Sequence, residues 1–267
     1  MWVLMHRLLG GRRARLFGGV FLLWLFLMLA SPKISHSPDQ HLFADKRNFL
    51  GIPNTLNVIS NFPFLVVGVL GFVLCLQGNV FVISLRGEIW GWAIFYAGIT
   101  AVAFGSAYYH LKPVDSRAMW DTLPMMIAYS AMFSCLIVER VGARIGLTSL
   151  VALVFFAFIS TACERNLNDL RLCMMFQLIP CLAIPCITFL YTPKYTHSRY
   201  WHWTTGAYLL AKLEANADRR IYDANHYIVS GHTLEHLCLV MVPILLTVML
   251  IFRRIRTPRL DDLKERP

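Results

Sequence analysis

The chain has 267 residues, 57% of them hydrophobic and only 15% charged, against roughly 25% charged in an ordinary soluble domain. One soluble core could not enclose so much apolar surface, which excludes a water-soluble globular protein. The net charge of +10 would suit nucleic acid. The basic residues, however, gather beside the ends of apolar stretches, as membrane topology requires, and no nucleic-acid partner is expected.

In chain order, long and nearly charge-free stretches cover Leu16–Ala30, Asn57–Leu76, Ile89–His110, Asp121–Val141, Leu147–Cys163, Leu172–Leu190, Trp201–Ala217 and Val229–Phe252. Several approach the roughly 20 residues that cross about 30 Å of hydrocarbon. The pattern predicts an all-α polytopic membrane protein, a seven-transmembrane-helix bundle plus an N-terminal hydrophobic anchor helix. Residues 16–30 also have the layout of a signal peptide, but Met28 is a poor match to the small residue wanted three before a cut after Ala30. A retained anchor is the better fit. Residues 1–42 are read as a basic N-terminus, anchor and lumenal linker, residues 43–252 as the seven-helix domain, and residues 253–267 as a basic cytosolic tail. Trp201–Ala217 is the weakest span, interrupted by Lys212 and Glu214.

Prolines and cysteines add local detail. Pro124 is expected in the first turn of its helix, where a missing N–H costs little. Pro180, Pro185 and Pro243 lie deeper and should kink theirs. The seven cysteines show no CxxC spacing, so they read as packing residues rather than as a disulfide framework.

With the anchor and seven helices, both chain ends fall in the cytosol, together with the larger share of Lys and Arg. The helix from Ile89 then ends on the lumenal side with Ser106 and His110. The next begins there with Trp120 and Asp121, and the last begins there with His232 and His236. Positions i and i+4 share a helix face, so His232 and His236 can aim at one point, and His110 lies at the same depth. Three imidazoles with an open position form a usual ligand set for catalytic zinc. Zinc lowers the pKa of a bound water towards about 7. Asp121 could take the proton of such a water and pass it to a leaving nitrogen. Ser106, one turn before His110, could hydrogen-bond the oxyanion on an attacked carbonyl. Asp121 could instead simply cap its helix. His6, His36, His41, His197, His202 and His226 read as interfacial. His232-Thr-Leu-Glu235-His236 also fits the inverted zinc-protease pattern H-x-x-E-H, with Glu235 as base.

These residues stand in motifs that resemble the alkaline ceramidases, in a superfamily of seven-helix membrane hydrolases that also includes adiponectin-type receptors. The elements are Asn57-Val-Ile-Ser60-Asn61, Gly105-Ser-Ala-Tyr-Tyr-His110, Trp120-Asp121-Thr-Leu-Pro-Met125 and Ser230-Gly-His-Thr-Leu-Glu-His236. They span residues 43–252, in a version most similar to a plant or bacterial-type branch. The resemblance implies zinc on His110, His232 and His236, with Ser106 and Asp121 as catalytic groups. It also implies hydrolysis of ceramide to a sphingoid base and a fatty acid, the partners being ceramide or a related lipid amide and membrane lipids. The expected location is the endoplasmic reticulum or Golgi. Animal relatives carry a calcium site of several acidic residues before the first core helix. Here that stretch offers Asp45, Asn48 and Asn54 but no glutamate, so calcium is not expected. A lipid-binding, receptor-like protein with little turnover and a hydrolase of another lipid amide are the alternatives.

Overall fold

A computed structural model describes residue 19, residue 22, residues 25–35, residue 37 and residues 41–256. Most of the expected anchor at 16–30 lies outside the described residues; residues 25–30 are helical. The helices are α1 (Thr55–Ile59), α2 (Phe62–Gln77), α3 (Arg86–Leu111), α4 (Asp115–Arg140), α5 (Ala143–Leu167), α6 (Arg171–Leu190), α7 (Arg199–Asn216), α8 (Asp218–Ala224) and α9 (Gly231–Phe252). Among the described residues six helical spans are long and apolar enough to cross a membrane: α1 with α2, then α3, α4, α5, α6 and α9. The protein is therefore an all-α, multi-pass membrane protein. Helix α7 falls outside that group because Arg199, Lys212 and Glu214 dilute its apolar residues, yet it packs along α9 inside the bundle. All seven cysteines are free thiols.

Helix α3 is the axis of the core. Its Trp92, Phe95 and Tyr96 are fully buried, and glycines on two of its faces let neighbours come close. Gly91, Gly98 and Gly105 recur every seven residues on the face that meets α4. There they lie against Cys135, Ala128 and the Trp120 carbonyl in turn. Descending partner numbers show that the two helices run antiparallel. Small residues at such a seam let backbones approach, the usual basis of helix pairing in lipid. On another face of α3, Gly68 and Gly71 of α2 pack against Thr100 and Tyr96. Helix α2 closes at Gly78, whose φ of 71° is the left-handed conformation that glycine adopts without penalty.

Helix α4 departs from expectation. It begins at Asp115, so Pro124 lies inside the helix and Asp121 is no N-cap. Asp115, in the first turn, suits the positive end of the helix dipole. Pro124 cannot donate to the carbonyl of Trp120 four residues earlier, and that carbonyl is where α3 makes its closest approach. A side chain on Gly105 would occupy the place of the Trp120 oxygen. Proline and glycine together set α3 and α4 in contact beside Ser106. Helices α6 and α9 continue through Pro185 and Pro243.

The end of the bundle away from the histidines is fastened by a buried ion pair. Arg253 and Glu88 are each 1% exposed, with Nη2 and Oε2 2.5 Å apart. Tyr195 donates its hydroxyl to Glu88 Oε1 at 2.7 Å, and its ring lies 3.8 Å from the Arg253 guanidinium carbon. Arg253 also donates to the Val82 carbonyl. Removing one partner of a buried pair strands the other charge, at a cost of about 3–5 kcal/mol. Arg253→Met is expected to lose stability of that order in thermal unfolding in detergent. Arg253→Met with Glu88→Leu should recover most of it.

Candidate metal centre

Sequence locality brings His232 and His236 together at the start of α9. Ser230 caps that helix, its Oγ accepting from the Thr233 N–H at 3.1 Å, which satisfies one otherwise orphaned donor. The Asp218 carboxylate serves a second, accepting from the His232 N–H at 2.8 Å through one oxygen. Its other oxygen accepts from the Ala44 N–H at 2.8 Å. An acidic group at this helix start is favourable, and here it also ties down the segment before α1. Gly231 allows the approach, since a Cβ there would collide with the Glu214 carbonyl and the Asp218 backbone.

His110 arrives at the same point from the end of α3. It is fully buried, and Asn54 Nδ2 donates to its carbonyl at 2.9 Å. One ligand-capable atom from each of His110, His232 and His236 lies within 4.8 Å of the others. The Nε2 atoms of His110 and His232 are 3.2 Å apart. Two ligands on a tetrahedral ion with bonds near 2.0–2.1 Å stand roughly 3.3 Å apart, so this spacing suits a shared cation. The group could hold a metal ion.

The outward nitrogens differ. His236 Nδ1 meets Ser60 Oγ at 2.8 Å. His232 Nδ1 meets Glu235 Oε2 at 2.9 Å, and Glu235 Oε1 accepts from Lys212 Nζ at 2.7 Å. Both oxygens of Glu235 are thus engaged, and Oε2 faces the outward nitrogen of His232 rather than the Nε2 side that meets His110. His110 Nδ1 is buried with no hydrogen-bond partner.

Ser106 stands one turn before His110. Its Oγ is buried, and the Asp121 carboxylate is the polar group that approaches it. Asp121, partly buried in the second turn of α4, interacts electrostatically with the Ser106 hydroxyl, His232, Glu235 and Lys212. The five residues singled out from sequence therefore gather from α3, α4 and α9.

Several neighbours were missed. The Phe43 ring lies over the cluster, 4.7 Å from the His110 ring and 4.5 Å from that of His232. His41, read as interfacial, bridges Tyr109 Oη at 2.8 Å and Asp115 Oδ1 at 2.6 Å. Behind them Asp45 and Arg47 pair at 2.7 Å, and Arg47 reaches the Ile228 carbonyl. Burial pushes the Asp45 carboxyl up, but hydrogen bonds and charge from Arg47, with Tyr222, outweigh it and hold the group below the usual carboxylate range. This contribution to holding the segment is present above that range and lost as pH falls below it, through the lowered Asp45 pKa. Ser60 carried a signal through the Asn57–Asn61 motif and Glu235 through the H-x-x-E-H pattern, though neither was read as a partner of a ligand histidine. Phe43 and Lys212 sit in sequence that resembles any loop or helix.

A small apolar cleft of about 20 Å³ opens deeper in the bundle, lined by Tyr129, Met132, Ile184, Tyr208 and Val242 among others. It is near the cluster: Val242 is six residues beyond His236 on α9, and Tyr208 lies 5.6 Å from Lys212 Nζ.

Comparison with known proteins gives one family. A family model described as Ceramidase matches residues 51–215, which include Ser106, His110, Asp121 and Lys212 but stop short of His232 and His236. No curated protein matches the chain.

Proposed function

The chain belongs to the ceramidase family, hydrolases of the ceramide amide bond, and on that premise we propose that it is a zinc-dependent intramembrane ceramidase. Ser106, His110, Asp121, His232 and His236 form the active site of a domain covering residues 43–252. The observation that carries the reading is the convergence of three imidazole nitrogens within 4.8 Å of one another, with the buried Ser106 hydroxyl one turn before His110. The all-nitrogen donor set suits zinc better than calcium, which prefers oxygen ligands.

His110, His232 and His236 would hold the ion. When bound it supplies a Lewis acid and makes water acidic enough to react near neutral pH. The Asp121 carboxylate accepts the proton of the attacking water as oxygen adds to the amide carbonyl carbon. Ser106 Oγ donates a hydrogen bond to the oxygen that gains negative charge. Asp121 then returns the proton to nitrogen as the C–N bond breaks, giving a fatty acid and a sphingoid base. Phe43, which lies against the rings of His110 and His232, shields the histidines from water. Arg140, Arg144, Lys194, Arg199 and Arg254 lie at the bundle end opposite the histidines. With the basic chain ends they give the cytosolic side of the expected topology the larger share of Lys and Arg, which suits a lumenal site. The membrane proposed is that of the endoplasmic reticulum or Golgi.

The test is fatty-acid release from ceramide by purified protein in detergent. Release is expected to stop on treatment with a strong chelator and to return on adding zinc. Release untouched by complete metal removal would sink the metal mechanism, and no release over a panel of ceramides would sink the substrate.

A further inference from the structure

We infer that Glu235, clamped by Lys212, is a positioning residue that sets which nitrogen of His232 is free to bind metal. This rests on the reading of the histidine cluster as a zinc site. A neutral imidazole carries one N–H, and the partner of the outward nitrogen decides where that hydrogen sits. An ionised carboxylate can only accept. With Glu235 Oε2 2.9 Å from His232 Nδ1, the hydrogen belongs on Nδ1. That leaves the lone pair on Nε2, the atom 3.2 Å from His110 Nε2.

The other two histidines have no charged director. Ser60 donates its one hydrogen to the Asn57 carbonyl and so accepts from His236 Nδ1 as a neutral hydroxyl, and His110 Nδ1 has no partner. His232 is the histidine of the cluster whose hydrogen is placed by a charge.

Lys212 completes the device from a different helix. Its ammonium holds Glu235 Oε1 at 2.7 Å, so the carboxylate is fixed at both oxygens between α7 and α9. Stability of the bundle does not by itself account for this pair. Glu235 is 6% exposed while the Lys212 side chain is a third exposed, at 34%, and replacing a partly or fully buried ion pair by apolar residues of similar volume often costs little or is stabilising. Lys212 is also one of the residues that make α7 too polar to read as a membrane span. The chain keeps two costly charges where they bear on one ring nitrogen.

Two double variants of the full-length protein in detergent separate this role from a packing role. Lys212→Met/Glu235→Leu removes both charges and the acceptor; Lys212→Met/Glu235→Gln removes both charges but keeps an oxygen to accept from His232 Nδ1. Zinc affinity is measured by competition with a chromophoric chelator, beside thermal melting. The Leu double variant is expected to melt near or above wild type yet to bind zinc about 10–100-fold more weakly, the usual loss on removing a partner of a ligand histidine. The Gln double variant should recover most of that loss. Equal zinc affinity in the two, or wild-type affinity in the Leu variant, would show the pair to be a packing feature only. If either double variant fails to fold, Glu235→Gln against Glu235→Leu gives the same comparison. Wild-type protein that takes up no zinc would remove the zinc reading itself, an outcome distinct from wild-type binding with an unweakened Leu variant.

Discussion

Fatty-acid release from ceramide should fall by at least about 10³-fold in His110→Ala, equivalent to roughly 4 kcal/mol of barrier, and bound zinc should fall with it. Among the described residues His110 is the one member of the cluster outside α9, so without it two rings one turn apart on one helix would have to hold the ion. Two neighbouring groups are already engaged. Glu235 is held at both oxygens by His232 and Lys212, and the Ser60 hydroxyl is engaged with His236. The His110 carbonyl is fixed by Asn54, an arrangement that alanine preserves, so the fold should survive. Metal analysis and turnover on the same preparation decide the matter. Undiminished activity in His110→Ala would mean that the three rings do not form the catalytic centre.

Asp121→Asn should give the opposite pairing of results, with zinc retained and turnover reduced by about 10²–10⁴-fold, the usual contribution of a positioned acid–base group. Asp121 is not among the three residues whose ligand atoms converge, so the metal should not depend on it. Asparagine matches its shape but cannot accept and return a proton. The effect should fall on kcat with little change in KM, since the carboxylate acts on the reacting water and nitrogen rather than on the lipid chains. Loss of zinc in Asp121→Asn would instead make Asp121 a ligand and require a different base.

The boundary of α4 shows where local sequence reading stops. The apolar run starts near Asp121, and Pro124 suggests a helix start, yet the helix begins at Asp115. The Trp120 carbonyl that Pro124 cannot serve lies against Gly105 of α3, where a side chain would collide with it. The heptad of Gly91, Gly98 and Gly105 is visible in the chain, but nothing local says that Cys135, Ala128 and Trp120 are its partners. Arg253 is a similar case. It opens the basic run that follows the last helix, and the fold draws it into an ion pair with Glu88, 165 positions away in the chain.

What the amino-acid order determined by itself was the membrane class, the positions of the apolar helices, and the three histidines with Ser106 and Asp121. Hydrophobic length and the i, i+4 spacing are local properties that one helix expresses without help. Only the tertiary structure decided that Phe43 covers the imidazoles, that Ser60 and Glu235 meet their outward nitrogens, and that Lys212 fixes Glu235 from α7. A polar group removed from water must find its partner among whichever helices pack beside it. That choice is made by the shape of the whole bundle, not by any one segment.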